Sequence, residues 1–146
     1  MSTVSSILSQ KNSQVWEVTP DTTVYNALVI MSDRNVGALM VMDGDKLAGI
    51  ISERDYTRKV ILKDRASKQT LVKEIMVSDV FYVVPDQDLD SCLALMTEKR
   101  IRHLPVLDNG KLVGIISIGD LVKHIISDQK IRIEHLEQVI SWGENY

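Results

Sequence analysis

Two short stretches set a hydroxyl and a carboxylate at the same spacing: Ser52 and Asp55 in "GIISERD", and Ser117 and Asp120 in "GIISIGD". In each, an apolar run has the character of a strand and the serine stands where a helix begins, as an N-cap. The unpaired N–H groups of a first helical turn favour an anion, phosphate above all. The aspartate three residues on returns to the same side of that turn, and a carboxylate accepts both hydroxyls of a ribose 2′,3′-diol. Gly49 and Gly114, lacking a Cβ, let a ligand approach the strand backbone. An anion site beside a diol acceptor and apolar strand residues describes a nucleotide pocket. Either pair taken singly is also an ordinary capping arrangement. The recurrence is what points to a ligand.

Other chemistry finds less support. His103, His124 and His135 are not spaced as metal ligands with carboxylates or with the single cysteine, Cys92, so no metal site is expected. Glu53 and Asp55 diverge at a helix start without a nucleophile–base set beside them, so the chain does not read as an enzyme. The Gly-x-Gly-x-x-Gly of a dinucleotide fold is missing.

The repeated phrase belongs to a longer internal repeat. "VTPDTTVYNALVIM" from Val18 aligns with "VVPDQDLDSCLALM" from Val83, and "NVGALMVMDGDKLAGIIS" from Asn35 with "RIRHLPVLDNGKLVGIIS" from Arg100. "VSSIL" (Val4–Leu8) also matches "VKEIM" (Val72–Met76), which assigns the N-terminus to the first copy. In each copy a short strand (16–18 and 81–84) ends at Pro-Asp, and apolar residues at helical spacing follow. Two apolar runs around "DGDK" or "DNGK" then predict a hairpin. A helix follows each hairpin, running to about Leu62 in one copy and beyond Ile126 in the other.

The fold class is therefore α/β of the α+β kind, two tandem β-α-β-β-α repeats. The expected divisions are repeat 1 over 1–65, a linker and entry to repeat 2 over 66–73, repeat 2 over 74–127, and a C-terminal helical extension over 128–146. The basic residues from Arg58 to Lys73 fit a solvated linker better than an anion-steering surface.

With 45% hydrophobic and 25% charged residues in 146, the chain has the make-up of a globular protein. A net charge of −3 argues against nucleic acid as a partner. No apolar run approaches the ~20 residues of a membrane span, and "MSTVSSILSQKNS" lacks the apolar core of a secretion signal. The expectation is a cytoplasmic protein with no membrane partner.

Two strand–helix–strand–strand–helix units, each closing its hairpin in Gly-Ile-Ile-Ser-x-x-Asp beside intact Pro-Asp elements, resemble a tandem pair of CBS domains over roughly Val4 to Ser127. The resemblance implies two repeats packed through their sheets about a pseudo-twofold axis, with two clefts built from both. In one cleft Ser117 and Asp120 would take phosphate and ribose, Arg102 and His103 would face the phosphates, and Val36 and Gly37 would line the base or sugar. In the other, Ser52 and Asp55 lead, Gly37 and Ala38 replace the cationic pair, and Arg54 supplies the charge. The clefts are then unequal, one suited to a mononucleotide and the other to a larger ligand.

By resemblance the ligand is an adenine nucleotide, AMP first, with ATP or NAD as the other options. The protein is then a non-catalytic, homodimeric regulatory module that signals to a separate partner. The alternative is a regulatory interaction module whose clefts no longer bind nucleotide. Val122, Ile126, Gln129, Ile133, Leu136 and Ile140 form a heptad-like stripe that packs on its own domain or on another subunit, with Trp142 and Tyr146 near its end.

Overall fold

Thr23 and Asp88 start the two central helices by accepting hydrogen bonds from the backbone N–H groups of Asn26 and Ser91, respectively. The helices, α2 (Val24–Arg34) and α5 (Leu89–Lys99), both end in a left-handed residue, Asn35 and Arg100. These elements belong to a computed structural model that describes residues 2–11 and 15–144, with side chains through 138. Each central helix leads into a hairpin: β2 (Ala38–Asp43) with β3 (Lys46–Ser52), and β4 (His103–Asp108) with β5 (Lys111–Ser117). The registers coincide. Ala38 pairs with Ser52 and His103 with Ser117, and each first strand carries an irregularity, at Val41/Met42 and at Val106/Leu107.

β1 (Glu17–Val18) adds to β2 in parallel. Its expected counterpart over 81–84 is not a strand but a single parallel bridge, Val83 to Val106. Phe81 and Tyr82 remain largely exposed there, so burial does not hold that segment against the sheet. After the hairpins come α3 (Glu53–Lys59) and α6 (Ile118–Glu144). The first stops three residues short of the expected Leu62, because residues 61–63 tighten into a 3₁₀ turn.

The largest departure concerns the two short helices α1 (Val4–Gln10) and α4 (Val72–Ile75). Sequence similarity assigns each to the repeat that follows it, yet each packs in the other repeat. Val4 and Ile7 join the core of Leu89, Met96, Leu104 and Ile116. Val72 and Ile75 join that of Val24, Met31, Leu39 and Ile51. The backbone fixes the exchange: Val4 N–H donates to Gln87 O at 2.9 Å, and Val72 N–H to Thr22 O at 2.8 Å. The segment expected as a solvated linker is also partly folded, with Thr70 buried and its carbonyl accepting from Val24 N–H.

The exchange also explains two glycines. A Cβ on Gly49 would lie 2.7 Å from the Val77 carbonyl oxygen and 2.8 Å from Met76 Sδ, and one on Gly114 would lie 2.7 Å from Leu8 Cδ2. Both positions are kept bare for the exchanged segments, not for a ligand, which corrects the expectation from sequence. Cys92 sits in the second core, where burial pushes its thiol up to about 11 and leaves it inert.

Among the described residues, no helix is long and apolar enough to cross a membrane. α6 continues well past the second repeat. Val122, Ile126, Gln129, Ile133 and Leu136 are all exposed on it, so the stripe does not pack on its own domain. The side chains of Ile140, Trp142 and Tyr146 lie outside the described residues.

Candidate functional site: the cleft between the repeats

Both repeated Ser–Asp pairs form the capping contacts that their spacing dictates. Ser52 N–H donates to Asp55 Oδ2 at 2.9 Å and Asp55 N–H returns to Ser52 Oγ at 3.2 Å. Ser117 N–H donates to Asp120 Oδ2 at 2.9 Å and Asp120 N–H to Ser117 Oγ at 3.1 Å. The backbone repeats the symmetry, since Glu53 N–H meets Gly37 O and Ile118 N–H meets Arg102 O. Each helix start is thereby pinned to the residue that leads into the neighbouring strand.

Each aspartate also meets a lysine that the sequence reading passed over. Lys59 Nζ lies 3.2 Å from Asp55 Oδ1 and donates to Ile75 O at 2.8 Å. Lys11 Nζ lies 2.8 Å from Asp120 Oδ2 and donates to Ile115 O at 3.1 Å. Burial alone would raise the Asp120 carboxyl, but the hydrogen bonds from Lys11 and Ser117 and the Lys11 charge hold it below the usual range. Lys59 is readable as an i,i+4 partner of Asp55. Lys11 is not, because only the exchanged α1 brings it to Asp120.

A cleft of about 730 Å³ opens between the repeats, within the size range of small-molecule sites. One wall holds Gly37, Ser52, Arg54 and Asp55, and the other holds Lys99, Arg100, Arg102 and His103. Ile50, Val77, Val80 and Phe81 supply the apolar surface. Arg54 crosses the cleft, its Nη1 donating to Arg100 O at 3.3 Å. The run "KRIRH" at 99–103 announces this cationic wall in the sequence, with Lys99 and Arg100 adding to the Arg102–His103 pair that the resemblance selects.

Arg102 and His103 thus line the cleft of the Ser52–Asp55 element, and they also adjoin Ser117 and Asp120, with which the resemblance pairs them, since His103 pairs with Ser117 across the hairpin. Neither Ser117, Asp120 nor Val36 lines this cleft. Val36 packs instead against the first core. The cause is the approach of the strand ends about the pseudo-twofold: His103 Cε1 lies 3.9 Å from where a Gly37 Cβ would stand. The Ser52 cleft therefore keeps cations that were expected to be lost from it, contributed by the other repeat. His124 is also largely buried, with Nε2 3.5 Å from Asp128 Oδ2.

His103 sits between the two capping elements. Burial first, then Lys11 and Arg102, hold its pKa below the ordinary value, against the opposing pull of Asp120. The unfolded chain therefore binds a proton that the folded one refuses, and stability falls as pH drops below about 6.5. Urea unfolding between pH 7.5 and pH 5.5 is expected to show this loss, and His103→Gln to flatten it. An equal loss in the variant would assign the effect to other groups.

The CBS domain family model matches residues 4–61 and 72–127. A CBS-domain protein from Burkholderia ambifaria MC40-6 is 55% identical with a TM-score of 0.85, over 88% of this chain and 96% of that one. The Arabidopsis thaliana CBS domain-containing protein CBSX3, mitochondrial, is 38% identical over 97% of this chain and 73% of its own length. The CBS domain pair of protein MJ0100, solved in complex with 5′-methylthioadenosine and S-adenosyl-L-methionine, is 23% identical with a TM-score of 0.77, over 88% of this chain and 98% of that one. With both repeats matched, their hairpins and capping pairs in register and the fold shared with these relatives, the chain belongs to the CBS-domain family.

Proposed function

We propose that the protein is a non-catalytic, homodimeric regulatory module of the cytoplasm that binds an adenine nucleotide between its repeats and passes occupancy to a separate protein. AMP is the first choice, with ATP and NAD as larger options. The observation that carries this reading is the cleft itself. A wall of Lys99, Arg100 and Arg102 faces an aspartate-capped helix start, with Ile50, Val77, Val80 and Phe81 close by. Guanidinium groups bind phosphate oxygens bidentately, and apolar and aromatic side chains take a base face. The adenosine ligands of MJ0100 support the reading through the shared fold alone.

In this reading Arg54, Arg102 and His103 meet the phosphate, Ser52 and Asp55 meet the ribose side, and Gly37 keeps the entrance open. Asp55 Oδ1 already faces Lys59, so a ribose hydroxyl shares that oxygen with the lysine. Ser117 and Asp120 form a lesser site in which a ligand has to compete with Lys11 for the carboxylate, and Val36, packed against the first core, is not expected to line it. Because Arg54 and Arg100 O already bridge the cleft, a bound anion that recruits Arg54 alters the contact between repeats. Such a population shift is the signal a partner reads.

The test is mass spectrometry of small molecules released by denaturing the purified protein, followed by calorimetric titration with AMP, ATP and NAD. A co-purifying adenine nucleotide that rebinds supports the proposal. No release and no binding at millimolar concentration refutes it, and leaves a regulatory interaction module as the reading of the fold.

A further inference from the structure

The last part of α6 is exposed on every side: from Gln129 to Gln138 no described residue is buried. Residues 128–144 extend the helix by about 26 Å, and most helical stability in proteins comes from packing an amphipathic face. Apart from Ile131 on the far side, its exposed apolar residues fall on one seam. Val122, Ile126, Ile133 and Leu136 are 44%, 59%, 56% and 60% exposed, and with Gln129 they alternate steps of four and three. At about 100° per residue, this seam faces away from the side that carries buried Leu121, largely buried His124 and half-buried Asp128. The protein's own domain cannot cover it.

We propose that α6 pairs with α6 of a second copy as a parallel, in-register two-stranded coiled coil. This gives a location and orientation to the homodimer of the proposed function and rests on that part of it, independently of nucleotide binding. The heptad places Ile126 and Ile133 at a, and Val122, Gln129 and Leu136 at d. Isoleucine at a with leucine at d, as at Leu136, favours two parallel strands, and a polar residue in the seam fixes register. Gln129 meets its symmetry mate only in the parallel, in-register arrangement. The flanking charges agree: Arg132 at g and Glu137 at e, both exposed, stand at the g-to-next-e spacing that pairs opposite charges across a parallel dimer.

The experiment compares the full chain with Ile126→Asp/Ile133→Asp, with Ile131→Asp on the far side of the helix, and with Gln129→Cys. Mass is measured by sedimentation or light scattering, and folding is checked by near-UV circular dichroism. A dimeric native chain, a folded monomeric double variant and a dimeric Ile131→Asp support the proposal. Gln129→Cys is then expected to give a near-complete disulfide-linked dimer under mild oxidation, since Cys92 is buried, and this readout does not depend on the double variant folding. A native monomer overturns both the homodimer and this seam. A folded double variant that stays dimeric overturns the seam but keeps the homodimer. A dimeric Gln129→Cys variant that fails to cross-link overturns the parallel register.

Discussion

Gly49→Ala is expected to destabilise the fold by about 2–3 kcal/mol, near the upper end of the range for overpacking a core, and Gly114→Ala by about 1 kcal/mol. The difference lies in what the new methyl meets. At Gly49 it meets the carbonyl oxygen of Val77, 2.7 Å away. That oxygen is held by Ile50 N–H at 3.0 Å, with Val77 N–H returned to Ile50 O at 2.9 Å, so backbone must move. At Gly114 it meets Leu8 Cδ2, the end of a flexible side chain on α1. Leu8→Ala is therefore expected to cost less in the Gly114→Ala background than alone, while Met76→Ala relieves Gly49→Ala only in part, because the Val77 carbonyl remains in its way. Urea unfolding of these variants as two double-mutant cycles measures both couplings. Equal losses at the two glycines, with no coupling to Leu8, would contradict the exchanged packing.

The second large effect is on binding. Removing the Arg102 side chain takes away a charge-assisted contact worth roughly 1.5–3 kcal/mol, so Arg102→Ala is expected to weaken AMP binding about tenfold to a hundredfold. Protons are linked to the same event. His103 is held neutral by burial and by the cations beside it, and a phosphate placed there favours its charged form. Binding then takes up a proton, and affinity rises as pH falls through the pKa of the complex, levelling off below that of the free protein. Calorimetry in buffers of different ionisation heat detects the uptake. His103→Gln is expected to abolish it, leaving only the phosphate's own titration. An unchanged proton uptake in the variant would place the phosphate away from His103.

The elements that sequence made legible are those set by local spacing. The two hairpins, the serine caps and the central helices follow from the turn residues, the Ser-x-x-Asp pairs and the apolar periodicity, and they occur in register in both repeats. The exchange of α1 and α4 was not legible. "VSSIL" and "VKEIM" are similar enough to fit either core, and a choice between two like cores is made by chain path and not by residue type.

That one fact accounts for most of what went unread at the site. Gly49 and Gly114 do permit a close approach, but the thing that approaches is protein. Lys11 meets Asp120 only through the placement of α1. Arg102 and His103 adjoin their own repeat's capping element, and the strand ends also bring them into the cleft that holds Ser52 and Asp55. The missing strand at Val83 has a different cause, because Phe81 and Tyr82 are exposed and give the sheet nothing to bury.

The measurement that tests the central claim most directly is an amide chemical-shift titration of the isotope-labelled protein with AMP. If the cleft between the repeats is the binding site, saturable shifts are expected on both of its walls at once, at Ile50–Asp55 from one repeat and Lys99–His103 from the other. α6 beyond Ser127 is expected to stay unchanged. Shifts confined to one repeat, or none at millimolar AMP, ATP or NAD, would contradict a nucleotide site shared by the two repeats.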